Sequence, residues 1–200
     1  KSSAQMEFGN IIHKTLQSFH EIDDIRLEKL LELFEQNWRS DAFEYLIREE
    51  EFKIQGHNMM KDYFNFVQSN PPNVVKCEAS FEFIMEDINV RLKGKIDRID
   101  KVDNKLFVLD YKTGKLSSNE KSKKSLQLAL YIEALNRGAV KDVKGETGAA
   151  QLLYLKDLDT PLDPHEFNEK ELEKHLEKVR KAPDGIRNGI FEPKPGPFVC

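Results

Sequence analysis

The segment Ser69-Asn70-Pro71-Pro72-Asn73 divides the 200-residue chain into two kinds of pattern. Proline lacks a backbone donor and disfavours helix in the residue before it, so a helix must stop here. Upstream, apolar residues recur at helical spacing. Phe8, Ile12, Leu16 and Phe19 mark a helix over 5–21. Leu27, Leu30, Leu31, Phe34 and Trp38 mark a second, with Asp23 or Asp24 as its cap. A third is expected from 41 to 68, bent near Gly56. Downstream the pattern becomes that of strands over 74–86, 89–100 and 106–109, with turns at Asp87-Ile88-Asn89 and Asp103-Asn104. Connections this short make antiparallel neighbours. A polar loop over 113–121, a helix over 122–137 and a strand over 148–155 form a crossover, so the last two strands should be parallel. A charged helix over 168–182 follows, and the tail after Gly189, with Pro193, Pro195 and Pro197, should be extended. The expectation is an α/β fold: a central mixed four-stranded sheet flanked by helices. An N-terminal helical subdomain, 1–72, precedes the sheet core and tail, 73–200, in one structural unit.

Charge limits what such a fold can do. The net charge of −4, from 31 Lys+Arg against 35 Asp+Glu, excludes a globally basic nucleic-acid coat but leaves room for a local basic groove. No run of about 18 apolar residues occurs, so a membrane-spanning helix is not expected. The N-terminal residues lack the apolar stretch of a secretory signal. Cys77 and Cys200 are too few for a disulfide framework or a four-Cys metal site. A reducing, cytoplasmic setting is therefore expected. The start at Lys1 and the stop at Cys200, after a Pro-rich tail, suggest a piece of a longer polypeptide; a trimmed recombinant chain is the plainer alternative.

Two neighbouring strands carry groups that strands usually avoid. One reads Gly94-Lys95-Ile96-Asp97-Arg98-Ile99-Asp100, the next Val108-Leu109-Asp110-Tyr111-Lys112-Thr113-Gly114. Alternation puts Asp110 and Lys112 on one face and Tyr111 on the other. In a suitable register Asp97 lies within reach of Asp110. Burying an ionised group is costly unless it is paired or bound to a metal. Two carboxylates suit a hard divalent cation, which can activate water and neutralise a phosphate transition state. A lysine beside them would hold the attacking water or the phosphoryl charge. A salt-bridged Asp–Lys pair in an exposed hairpin fits the same spacing equally well.

Four pieces in order move the balance: Gly9-Asn10-Ile11-Ile12-His13, the Gly94–Asp100 run, Leu109-Asp110-Tyr111-Lys112-Thr113-Gly114, and Gln127-Leu128-Ala129-Leu130-Tyr131. In these the chain resembles the PD-(D/E)XK nuclease superfamily, with its restriction-endonuclease-like core. Within that superfamily it resembles the RecB-like nuclease domains, which sit beside helicases or serve in CRISPR adaptation. The resemblance implies metal-dependent hydrolysis of DNA, as an exonuclease on single strands or duplex ends, in repair and recombination. It makes Asp97, Asp110 and His13 ligands to Mg or Mn, with the Tyr111 carbonyl completing the shell, and Lys112 the catalytic lysine. Gln127 and Tyr131 match its Q-x-x-x-Y motif. It also implies a helicase domain or subunit as partner. Many RecB-like domains hold an iron–sulfur cluster with one upstream and three downstream cysteines. Cys200 would be the edge of such a site, which this chain alone cannot complete.

Other readings stay open. Gln127 and Tyr131 tie helix to sheet as readily as they serve chemistry. Arg98 reaches either phosphate or Asp100. Lys115, Lys121, Lys123 and Lys124, helped by Lys93 and Lys95, form either a phosphate-tracking patch or a solvated helix start. Glu78 is a secondary candidate for shaping the metal site. Cys77 reads as a core thiol, His20 belongs to no motif, and His57, His165 and His175 read as surface residues. The rival functions are a non-catalytic DNA-docking module and a phosphodiesterase of small nucleotides.

Overall fold

In the computed structural model, which describes residues 3–43 and 46–187, the apolar stripe of the first segment folds as α1 (Ala4–His20). Ser3 caps it by accepting from the Met6 N–H at 3.3 Å. The second stripe folds as α2 (Leu27–Asn37). Its cap differs from expectation: the N-cap is Arg26, and Asp24 is held by the Arg26 guanidinium at 2.7 Å instead. The third helix, α3 (Leu46–Ser69), starts later than expected. Trp38 and the buried Phe43 stack with ring centroids 5.0 Å apart, and a short 3₁₀ turn, Ser40–Ala42, fills part of the expected first turn.

The sheet holds β1 (Val74–Met85), β2 (Val90–Val102), β3 (Lys105–Lys112) and β4 (Glu146–Tyr154), in that spatial order. The first two pairings are antiparallel and the third is parallel. The β2–β3 turn is tight because Asp103 and Asn104 both adopt left-handed φ, at 48° and 66°. The crossover to β4 carries α4 (Leu126–Asn136), capped by Ser125, and α5 (Glu169–Arg187) follows β4. The proline tail and Cys200 lie outside the described residues.

Each face of the sheet has its own core. Phe81, Phe83, Val108 and Leu152 pack against α4 and α5 through Leu128, Ile132, Leu172 and Leu176. Leu109, Tyr111 and Leu153 pack beneath α1–α3 against Ile12, Leu16, Met60 and Tyr63. Successive residues of β3 therefore serve different layers. Asp110 and Lys112 look toward α4, and Tyr111 looks toward α1.

Gly56 was expected at a bend, but α3 runs through it as one helix. Its role is close approach. A Cβ at Gly56 would stand 2.3 Å from the Phe34 ring, which is fully buried and flanked by Trp38 and His57. Alanine gains about 1 kcal/mol of helix propensity over glycine, but overpacking costs about 1–3 kcal/mol. Gly56→Ala should therefore lower stability by about 1 kcal/mol. Urea unfolding checks this, and an unchanged or raised midpoint would contradict it.

Candidate active site

The β2–β3 ladder runs from Val102 opposite Lys105 to Arg98 opposite Leu109. Beyond that point a side chain takes over, and the Tyr111 N–H donates to Asp97 Oδ2 at 2.7 Å. The alternation of β2 slips at the same place. Ile96 and Ile99, three positions apart, both join the α4-side core. The sheet thus opens between two strands and presents Asp97 at the gap. Asp97 Oδ1 lies 3.3 Å from His13 Nδ1 on α1. The His13 ring stands edge-on to Tyr111, with centroids 6.0 Å apart.

Asp110 and Lys112 form a ring of polar contacts with α4. Lys112 Nζ lies 2.5 Å from Asp110 Oδ2 and donates to Gln127 Oε1 at 2.8 Å. Gln127 Nε2 donates to the Tyr131 hydroxyl at 2.6 Å, which in turn donates to Asp110 Oδ1 at 3.4 Å. Gln127 and Tyr131 are four positions apart, so they share a helix face. Tyr131 is braced by Phe81, 5.8 Å away in an edge-on contact. Phe81 in turn lies across Gly94, where any Cβ would stand 2.8 Å from its ring. That close approach explains the glycine at the start of the β2 motif.

Glu78, a secondary candidate from sequence, joins this group. One ligand atom each from His13, Glu78 and Asp97 lie within 4.8 Å of one another. Glu78 also receives Lys95 Nζ at 3.3 Å. The donor set fits a divalent cation: two carboxylates and an imidazole converge. Beside them Asp110 Oδ2 is buried against the Lys112 ammonium.

The site holds its protons more tightly than usual. Burial alone would lower the His13 pKa, but the carboxylates of Asp97, Asp110 and Glu78 outweigh it and raise the value overall. Asp110 is pushed up to about 6 by burial and by Asp97, against the pull of Lys112 and His13. Burial keeps the Tyr131 phenol protonated, as a neutral donor. A proton and a divalent cation compete for the same atoms. Both groups hold protons below their raised values and release them above. Mn²⁺ affinity should therefore rise as pH climbs through about 6. Titration calorimetry from pH 5.5 to 8 measures this, and a flat profile would contradict it.

Of the two readings open for Arg98, phosphate contact or a pair with Asp100, the structure shows the internal ion pair, and the DNA-contact reading is corrected. Its side chain is 4% exposed, and Nη2 donates to Asp100 Oδ2 at 2.9 Å. Nη1 donates to the hydroxyls of Tyr63 and Tyr111 at 2.5 and 2.8 Å and lies 3.0 Å from His20 Nε2. His20 is pushed down to about 3 by burial and by Arg98, so it is neutral there. A guanidinium enclosed in this way cannot reach a phosphate at the surface. The network instead fastens α1 and α3 to the back of β2 and β3. Arg98→Met would leave Asp100 charged and buried without its partner, which should cost about 3–5 kcal/mol. Arg98→Met combined with Asp100→Leu should recover much of that loss in chemical denaturation. A double variant as unstable as the single one would sink this account.

Other predicted groups fall elsewhere. Lys115, Lys121, Lys123 and Lys124 are exposed on the loop and short turn between β3 and α4, with Lys124 Nζ donating to the Asn119 carbonyl at 3.1 Å. Lys93 and Lys95 are exposed on β2. His175 is corrected from surface to buried, with Nε2 3.1 Å from the Lys123 carbonyl oxygen. His57 and His165 have carboxylate partners in Glu35 and Glu171. Cys77 is half-buried rather than in the core, and burial pushes its thiol up to about 12, which makes it unreactive. No helix among the described residues is long and apolar enough to cross a membrane. A hollow of about 410 Å³ lined by Asp62, Phe66, Asn70 and Lys156 contains none of the clustered residues.

Comparisons with known proteins bear on this geometry. The family description that matches is the PD-(D/E)XK nuclease superfamily, over residues 1–200. No curated protein matches the sequence. A solved structure from Eubacterium rectale, provisionally described as an exonuclease, superposes with a TM-score of 0.54 at 11% identity, over 96% of this chain and 70% of that one. This likeness shows a shared fold. The protein SSO0001 aligns over 86% of this chain and 73% of its own, at 16% identity, with a TM-score of 0.36 that is too low to add to the argument. The family match runs the length of the chain and includes both strands that part at Asp97, so this protein belongs to the PD-(D/E)XK nuclease superfamily.

Proposed function

We propose that the chain is a metal-dependent DNA nuclease of RecB-like type, acting as an exonuclease on single strands or duplex ends. The observation that carries this reading is Lys112, held between Asp110 and Gln127 at the strand opening that also exposes Asp97 and His13. A structural ion pair needs no such convergence of further ligand groups.

Asp97, Asp110 and His13, with the Tyr111 carbonyl, would hold Mg²⁺ or Mn²⁺. A divalent cation bound there supplies Lewis-acid chemistry, lowering the pKa of water and offsetting charge that builds on the phosphate. Lys112 directs its ammonium at the attacking water or at a non-bridging phosphate oxygen. Gln127 fixes that ammonium through its carbonyl oxygen, and Tyr131 keeps the amide turned the right way. The exposed lysines of the following loop track the DNA backbone, so binding should weaken steeply with salt. The RecB-like order of motifs supports work beside a helicase in repair and recombination, and Cys200 as the edge of an iron–sulfur site that the two cysteines of this chain do not complete. The exonuclease description of the Eubacterium rectale protein agrees with end-directed action.

End-labelled single- and double-stranded oligonucleotides, incubated with Mg²⁺ or Mn²⁺, test this reading. Stepwise shortening from an end is the expected result. Lys112→Ala should lower the rate by about 10²–10⁴ if it acts in proton transfer. Full activity in that variant would remove Lys112 from the mechanism. DNA binding with no cleavage by the unaltered chain would favour a docking module, and preferential turnover of a mononucleotide ester would favour the small-nucleotide phosphodiesterase.

A further inference from the structure

We infer that Glu78 is a further ligand to the divalent cation, joining His13 and Asp97, and that Lys95 is the counter-ion it gives up when the cation binds. The inference rests on the metal-dependent reading above and extends it to a residue on a third strand.

Three observations carry it. First, the ligand atoms already converge, all within 4.8 Å of one another. Ligands placed about 2.1 Å from one small cation stand about 3–4.2 Å apart. Only a small closing movement separates the present arrangement from a coordinated one. Second, Glu78 has a φ of 46° inside β1, well away from either end of the strand. A non-glycine residue in the left-handed region of a strand interior is strained, and it persists only where its surroundings over-determine it. The flanking registers, Cys77 opposite Arg98 and Ala79 opposite Ile96, set this residue across from Asp97, where the alternation of β2 also slips. Both strands depart from regular geometry at one level, and both departures deliver a carboxylate to the same spot. Third, an ammonium already sits there. Lys95, 62% exposed, places Nζ 3.3 Å from Glu78 Oε2. Asp110, buried and paired with Lys112, adds negative charge that His13 and Asp97 both feel.

An ordinary surface ion pair between Glu78 and Lys95 predicts something different. If the pair merely steadies β1 against β2, removing either partner should weaken the site alike. If Glu78 is a ligand and Lys95 its competitor, the two removals act in opposite directions.

Calorimetric titration of the full chain with MnCl₂, with thermal melts to confirm folding, decides between them. Glu78→Gln should weaken Mn²⁺ binding at least about tenfold. Lys95→Met should strengthen it. Glu78→Asp, which keeps the charge at shorter reach, should fall between Gln and the unaltered chain, and it carries the test if Glu78→Gln fails to fold. Unchanged affinity in the Glu78 variants, or equal weakening in the Glu78 and Lys95 variants, would overturn the assignment. If Asp97→Asn abolishes binding while Glu78→Gln does not, the metal reading stands and Glu78 falls. If the unaltered chain takes up no Mn²⁺, the metal reading falls and Glu78 with it.

Discussion

The bond from the Tyr111 N–H to the Asp97 carboxylate is the point on which the site depends. A backbone amide at this depth needs an acceptor. In a regular antiparallel ladder that acceptor is a carbonyl of the neighbouring strand. Here a side chain replaces it, so β2 and β3 part without leaving an unpaired amide. The gap sets Asp97 beside His13 on one side and leaves Asp110 and Lys112 facing α4 on the other. Two strands and two helical layers therefore meet at one opening because one carboxylate substitutes for backbone.

Two polar networks hold the layers to that opening, and they differ in kind. On the α4 side Lys112, Gln127, Tyr131 and Asp110 form a ring half open to solvent. On the α1 side Arg98, Asp100, Tyr63, Tyr111 and His20 are enclosed. The enclosed network keeps orphans: Arg98 Nε and Asp100 Oδ1 have no hydrogen bond. Burial raises the Asp100 pKa against the opposing pull of Arg98. Such a network adds little net stability over an apolar core. What it supplies is fixed direction. It ties Arg98 to the hydroxyl of Tyr111, and those two residues are immediate neighbours of Asp97 and Asp110.

The elements were legible because their signals are local. Period-2 and period-3.6 patterns, the Pro71-Pro72 stop and the Asp103-Asn104 turn depend on residues close together in the chain. The mixed sheet followed from connection length alone. The placing of Asp110 and Lys112 on one face, opposite to Tyr111, followed from alternation alone. What could not be read depends on partners far apart in sequence. Nothing near Glu78 announces a left-handed residue, since glycine or asparagine would be the usual signal. Arg98 had two plausible partners nearby, and the choice was made by Tyr63, 35 positions away. His175 is buried where Lys123, 52 positions away, presents a carbonyl to it. Asp24 lost its capping role to a competing arginine only two residues on.

The acidic excess of the chain now has a location. Asp97, Asp110 and Glu78 gather at one sheet opening. Such a gathering repels a polyanion, and placing carboxylates out of water is costly. The structure sets monovalent charge against that cost: the Lys112 ammonium on Asp110 and the Lys95 ammonium on Glu78, while the same carboxylates raise the affinity of His13 for a proton. Each is a monovalent substitute at a separate position. One divalent ion would neutralise several carboxylates at once and release those cations toward a phosphate. The same residues that make the site hostile to DNA would then make it receptive, and the net charge of −4 is no obstacle to a nucleic-acid substrate.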